Sequence, residues 1–200
     1  DDKLIKVVKK NEKICKYFDI PIQHISDSVL KRMNRKSNSE SIELLIKKLR
    51  EKIPNVIIRT TVMVGFPGET QEDFEKLCNF VESAKFDKLG AFAYSKEEGT
   101  PAAKLKEQVH PMTKKARYNK IMEIQQKVSE ENLNKYIGKQ LEVLVEGKTI
   151  DGKYYVCRSY MDVPDIDGLI YLNNSKELKI GDFVKCTIKS SINEYDLLGE

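Results

Sequence analysis

The chain has 200 residues, a formal net charge of +4, 40% hydrophobic and 33% charged residues, the balance of a soluble globular protein of one or two domains with enough apolar material for a core. No stretch approaches the roughly 18 consecutive apolar residues of a membrane span and no charged-then-apolar signal segment opens the chain, so a cytoplasmic location is expected. Its four cysteines, Cys15, Cys78, Cys157 and Cys186, lie far apart with only His24 and His110 beside them, which argues against a metal site made wholly by this chain and for small buried apolar groups.

Asp1 to Lys16 reads as a helix, with Leu4, Ile5, Val8 and Ile14 set between lysines; nothing caps its start, so the chain is expected to be a piece of something longer. Tyr17 to Gln23 reads as a short strand in which Pro21 removes one ladder donor. Ser26 or Asp27 caps a short helix carrying Val29, Leu30 and Met33. Ile42, Leu45, Ile46, Leu49 and Ile53 then mark an amphipathic helix that Pro54 ends. Val56 to Val64 is rich in β-branched residues, the composition of a strand covered on both faces in a parallel sheet. Arg59 interrupts it; the residue is expected either to point into a polar lumen and meet an anion, a ligand or an internal acid, or to snorkel at the strand's end.

Gly65-Phe66-Pro67-Gly68-Glu69 follows as a tight turn expected to present free backbone amides, and Thr70 with Asp73 caps the next helix. That helix carries Phe74, Leu77, Cys78, Val81 and Ala84 as an i, i+3, i+4, i+7 stripe. Leu89 to Tyr94 is a third strand, ending in the polar turn Ser95 to Thr100. The order predicts two right-handed crossovers and three parallel strands. Such sheets bind ligands beyond the carboxyl ends of their strands, so the turns at 24–27, 65–69 and 95–99 are expected to line one face. Three strands make either a small open sheet or part of a barrel, whose open edges should leave apolar surface exposed.

A linker with Pro101 and Pro111 leads to a long helix, read as capped by Thr113 and running to about Tyr136, with a solvated lysine-rich side. From Lys139 four or five short alternating strands with Asp-Gly and Gly-Asp turns predict a small antiparallel barrel of the oligonucleotide-binding kind. The expected units are therefore residues 1–110, a linker helix at 111–137 and a barrel at 138–200. Residues 1–138 carry 27 Lys and Arg against 20 Asp and Glu, a balance of +7, and residues 139–200 carry 8 against 11, a balance of −3. An acidic tail is poor at neutralising phosphates and suits a basic protein partner.

Three of these segments resemble a known family: Pro21-Ile-Gln-His-Ile-Ser-Asp27, Arg59-Thr-Thr through Gly65-Phe-Pro-Gly-Glu69, and Tyr94-Ser95 with Glu98-Gly-Thr-Pro-Ala102. In this order they look like the second half of a radical S-adenosylmethionine methylthiotransferase, and the tail resembles the TRAM domain at the carboxyl end of such enzymes. The resemblance implies a partial radical-SAM barrel. It also implies a parent enzyme using S-adenosylmethionine and two 4Fe-4S clusters, one cleaving the cofactor to a radical that abstracts hydrogen, the other delivering sulfur. The family's C-x-x-x-C-x-x-C motif is absent from this sequence, so the chain alone is expected to be inactive.

By this resemblance Gln23, Ser26, Arg59, Gly65, Pro67, Gly68, Glu69, Phe92 and Tyr94 are candidates for holding the cofactor, and His24 for the substrate. The transfer-RNA branch usually has Gln-Ser-Gly-Ser where this chain has Gln23-His24-Ile25-Ser26, and an Arg-rich stretch where it has Arg158 to Gly168. The segment Arg158 to Gly168 is similar to the branch that modifies an aspartate of ribosomal protein S twelve. Asp162, Asp165 and Asp167 are accordingly candidates for docking that basic protein. The alternatives are a transfer-RNA adenosine methylthiotransferase portion and a non-catalytic RNA-binding TRAM module.

Overall fold

In the computed structural model, residues 2–173 and 176–200 are described; Asp1, where the first helix was expected to begin, and positions 174–175 lie outside them. Helix α1 (Asp2–Lys10) buries Ile5 and Val8. Strand β1 (Tyr17–Asp19) is shorter than the apolar pattern of 17–23 because Pro21 has no amide to donate. Pairing resumes at one bridge, Gln23 with Val62. Helices α2 (Asp27–Arg32) and α3 (Ser39–Lys52) follow, the second opened by a capping box in which Asn38 and Ser41 bond each other's backbone amides. Strand β2 (Ile57–Val64) leads through the glycine turn into α4 (Gln71–Ala84), whose capping box joins Thr70 and Asp73. Strand β3 (Lys88–Ala93) completes a parallel sheet in the order β1-β2-β3.

The stripes of α3 and α4 meet one face of this sheet. Ile46, Leu49, Phe74, Leu77 and Val81 pack with Ile58, Val62 and Val64 in one buried cluster, each large side chain contributing about 1.5–3 kcal/mol by burial. Helix α4 ends at Lys85 in a left-handed conformation. The carbonyls there are taken by Arg50, Gln125 and Asn132.

Gln125 and Asn132 belong to α5 (Pro111–Asn134), which His110 caps by accepting the Met112 amide; Pro111 occupies the first turn, where no intrahelical donor is needed. The expected cap, Thr113, therefore lies inside the helix. The lysine-rich strut also has a buried polar side, with Arg117, Gln125, Ser129 and Asn132 turned inward.

The tail is a closed barrel, β4-β5-β6-β8-β7, formed by β4 (Gln140–Lys148), β5 (Tyr155–Arg158), β6 (Ile170–Leu172), β7 (Phe183–Ser191) and β8 (Leu197–Gly199). All its pairings are antiparallel except β6 with β8. Cys157 and Cys186 are buried in its core and Cys78 is partly buried. Cys15 is exposed, against the expectation for all four. Among the described residues, no helix is long and apolar enough to cross a membrane. Leu4 and Val7 of α1 are exposed.

Candidate functional site

Side chains alternate along β2. Ile58, Thr60, Val62 and Val64 are buried, with Ile58, Val62 and Val64 packed against the helices, and Arg59, Thr61 and Met63 take the opposite, more open face. The parallel register aligns Arg59 with Asp19 and Lys88, Thr61 with Gly90, and Met63 with Phe92. Aligned residues share a face. The open face is thus charged at the amino end of the strands and apolar toward their carboxyl end.

The charged end is covered by the barrel. Lys88 Nζ donates to Asp162 at 3.1 Å, Arg59 Nη1 lies 3.6 Å from Asp167, and the Tyr17 hydroxyl donates to Asp167 at 2.7 Å. Asp19 lies 3.7 Å from Arg59 Nε. The Tyr160 hydroxyl adds a bond to the Asn55 carbonyl. Burial and the Asp167 carboxylate together push the Tyr17 phenol well above its ordinary range.

Asp162 also accepts from the Ser159 amide and hydroxyl, and Asp167 from the Val163 amide. These two aspartates, expected on a docking surface, are turned inward onto the sheet; Asp165, at the loop tip, is exposed. Arg59 does meet an anion, but the anions are Asp19 and Asp167. It sits five residues before the strand's end, about 16 Å away along the strand. A cavity of about 460 Å³ separates sheet, α5 and barrel here, lined by Lys88, Gly90, Gln125, Tyr136 and Asp167 among others.

The carboxyl end is built around Glu69. Its carboxylate accepts the Gly65 amide at 2.6 Å, the Phe66 amide at 3.3 Å and Arg117 Nη1 at 2.8 Å. The Gly68 amide goes to the Glu107 carbonyl, the Glu69 amide to Phe66 and the Thr70 amide to Asp73. Pro67 has no amide. The expectation of free amides is therefore not met, because the turn satisfies its own donors with Glu69 and Asp73 and with the linker. Gly65 and Gly68 have φ of +70° and +81°. A Cβ on either would collide, at Gly65 with Lys114 and at Gly68 with the Arg32 guanidinium.

Beneath the turn, His24 is fully buried; its Nδ1 accepts the Ser26 amide, and its Nε2, 3.8 Å from Glu69, has no hydrogen-bond partner. Burial lowers its pKa to about 4. Burial also raises Glu69, against the pull of Arg117 and the two amides. For Asp73 burial works upward, but bonds from Ser26, Thr70 and Ser28 outweigh it and hold the carboxyl well below its ordinary range. Ser26 is thus committed to Asp73. Tyr94 is buried edge-on to Phe66, its carbonyl accepting Lys114 Nζ.

Phe92, by contrast, is 58% exposed. Gln23 is half-buried at the end of the first strand segment, with φ of +69°. Of the expected cofactor residues, then, Gln23 and Phe92 remain available on the surface. Thr61, Met63 and Gly90 join Phe92 on the open face, and the alternation from Arg59 could have found the first two. Arg117 and Lys114 carried no local signal, since the turn they meet lies 48 residues before Arg117 in the chain.

These residues fit the cofactor in part: an exposed aromatic ring beside Met63 and Thr61 suits a nucleoside, whereas the turn has no amide left for a carboxylate. Among the described residues no three His, Cys, Asp or Glu side chains converge as a metal site.

Over all 200 residues the chain is 61% identical to the ribosomal protein uS12 methylthiotransferase RimO of Alkaliphilus oremlandii and 53% identical to that of a Thermoanaerobacter species, spanning 45% of the length of each. It is 48% identical over 199 residues to the protein of that name from Lachnoclostridium phytofermentans, again 45% of its length. The chain thus spans less than half the length of the curated relatives it matches. A solved structure of coproporphyrinogen III oxidase (HemN) from Escherichia coli, a radical SAM enzyme, overlays 62% of this chain and 28% of its own, with a TM-score of 0.49 and 20% identity. Residues 1–81 match the model of the Radical SAM superfamily and residues 137–200 that of the TRAM domain.

Proposed function

We propose that this chain is the carboxyl-terminal portion of a methylthiotransferase that adds a methylthio group to the β-carbon of an aspartate in ribosomal protein uS12, in the cytoplasm. The observation that carries this reading is 61% identity across the whole chain to a protein of that name. When bound, S-adenosylmethionine and two 4Fe-4S clusters would supply radical chemistry and sulfur.

In this reading Phe92, Met63 and Thr61 hold the nucleoside of the cofactor on the open face, with Gln23 at its edge. The turn from Gly65 through Pro67 and Gly68 to Glu69 acts one step back. It fixes the ends of β2 and α4, and with Ser26, His24 and Tyr94 forms the floor beside which the substrate is presented. Arg59, Lys88, Asp162 and Asp167 join the TRAM barrel to the other end of the sheet, so that the barrel stands at a set distance from the reacting region.

Docking of the basic substrate falls to the exposed acids of the TRAM barrel, Asp165 at the loop tip together with Glu142 and Asp151. The test is a titration of the chain with a basic peptide of uS12 and with a transfer-RNA anticodon stem-loop at several salt concentrations. The reading expects the peptide to bind and Asp165→Asn to weaken it; tight, salt-sensitive binding of the RNA instead would overturn it.

A further inference from the structure

We propose that the segment from Glu107 to Arg117, which lies outside both matched spans, is the positioning element of the Gly65–Glu69 turn, with Arg117 as its key residue. The proposal rests on the reading that this turn supports a cofactor face. Three residues carry it, each reaching from the linker or α5 back to the turn or to the strand end beside it. Arg117 Nη1 donates both to the Glu69 carbonyl at 3.1 Å and to its carboxylate at 2.8 Å, with both side chains buried. The Glu107 carbonyl accepts the Gly68 amide at 2.7 Å, and its carboxylate pairs with Arg32. Lys114 fills the space where a Cβ on Gly65 would sit, while its ammonium donates to the Tyr94 carbonyl at 2.9 Å and lies 4.8 Å from the Tyr94 ring.

Charge explains why Arg117 matters more than its neighbours. Glu69 is a buried acid, held by two turn amides on one side and by a single guanidinium on the other; the imidazole that also faces it is kept neutral by burial. Without the guanidinium, burial favours the protonated acid, which no longer holds the Gly65 and Phe66 amides as an anion does. The turn then loses its internal tie while the strands on either side keep theirs. Arg117 is thus a residue that acts through Glu69 and not by touching the cofactor. It lies on the same helix whose far end reaches the TRAM barrel, so the turn and the barrel share one rigid support.

The test is amide hydrogen exchange on the whole chain with Arg117→Met, Arg117→Lys and the double variant Arg117→Met with Glu69→Gln. Arg117→Met should lower protection at Gly65, Phe66 and Gly68 by about tenfold or more while Val62 in β2 and Val145 in the barrel change by less than about twofold. Arg117→Lys, which keeps the charge, should recover part of the loss. The double variant removes the buried charge altogether; if Arg117→Met alone fails to fold, the same selective loosening in the double variant supports the proposal. Unchanged protection at the turn, or an equal loss throughout β2, overturns it. Equilibrium dialysis of S-adenosylmethionine with the cluster-loaded protein at the length of its curated relatives separates this proposal from the reading beneath it. A loosened turn with reduced affinity supports both, and a loosened turn with unchanged affinity keeps the positioning role and removes the cofactor role of the face.

Discussion

Lowering the pH should destabilise the sheet unit through His24 alone among the histidines' buried sites. Its imidazole, fully buried with Nδ1 accepting the Ser26 amide, takes a proton at about 4 in the folded chain against 6.5 when exposed. A base whose folded pKa is depressed leaves the unfolded state holding more protons, so stability is complete above 6.5, falls as the pH drops through that value, and levels off below about 4. At 1.36 kcal/mol per unit, the loss between pH 7 and 5 is about 2 kcal/mol. Glu69, raised by burial, acts in the opposite sense, so the informative quantity is a difference of slopes. Urea denaturation at both pH values, followed by the amide signals of Val62 for the sheet and Val145 for the barrel, should show the loss in the wild-type sheet. His24→Asn, whose side-chain oxygen can replace Nδ1 as acceptor, should flatten it, and His110→Asn should not. A wild-type sheet equally stable at both pH values, or an undiminished slope in His24→Asn, would refute the reasoning.

Breaking the contact between sheet and barrel should be costly on one side only. Lys88→Met leaves the buried Asp162 carboxylate without its cation and should cost about 3–5 kcal/mol, while adding Asp162→Asn should return much of it, both read by thermal unfolding. Thr70→Ala removes a capping bond from α4 and should cost about 1 kcal/mol in urea denaturation. Gly199→Ala would drive a Cβ against the Cys186 sulfur in the barrel core and should destabilise the barrel by about 1–3 kcal/mol, with the signal of Val62 unaffected.

Local pattern carried much of this fold because most of its elements announce themselves locally. The valine and isoleucine run of β2, the stripe of α4 and the change of texture at Lys139 each follow from period and turn chemistry. What stayed hidden depends on distant partners. Asp162 and Asp167 look like any acidic hairpin until Lys88, Arg59 and Tyr17 are brought beneath them. Glu69 reads as a first-turn acid, yet its role is decided by Arg117 on α5. Even Arg59 was legible only as a charge needing an anion; which anion followed from the packing of two units. Local misreadings were the first helix, which ends at Lys10 and not at Lys16, the first strand, which Pro21 shortens, and the cap of α5, where His110 before Pro111 outcompetes Thr113 because proline fixes the first helical turn.

The central claim is tested most directly by methylthiolation itself. The protein prepared at the length of its curated relatives, with its clusters and S-adenosylmethionine, would be incubated with uS12 and separately with transfer RNA, and both products read by mass spectrometry. The account predicts one methylthio group on an aspartate-bearing peptide of uS12 and none on the RNA. A methylthio group on adenosine with unmodified uS12 would contradict it.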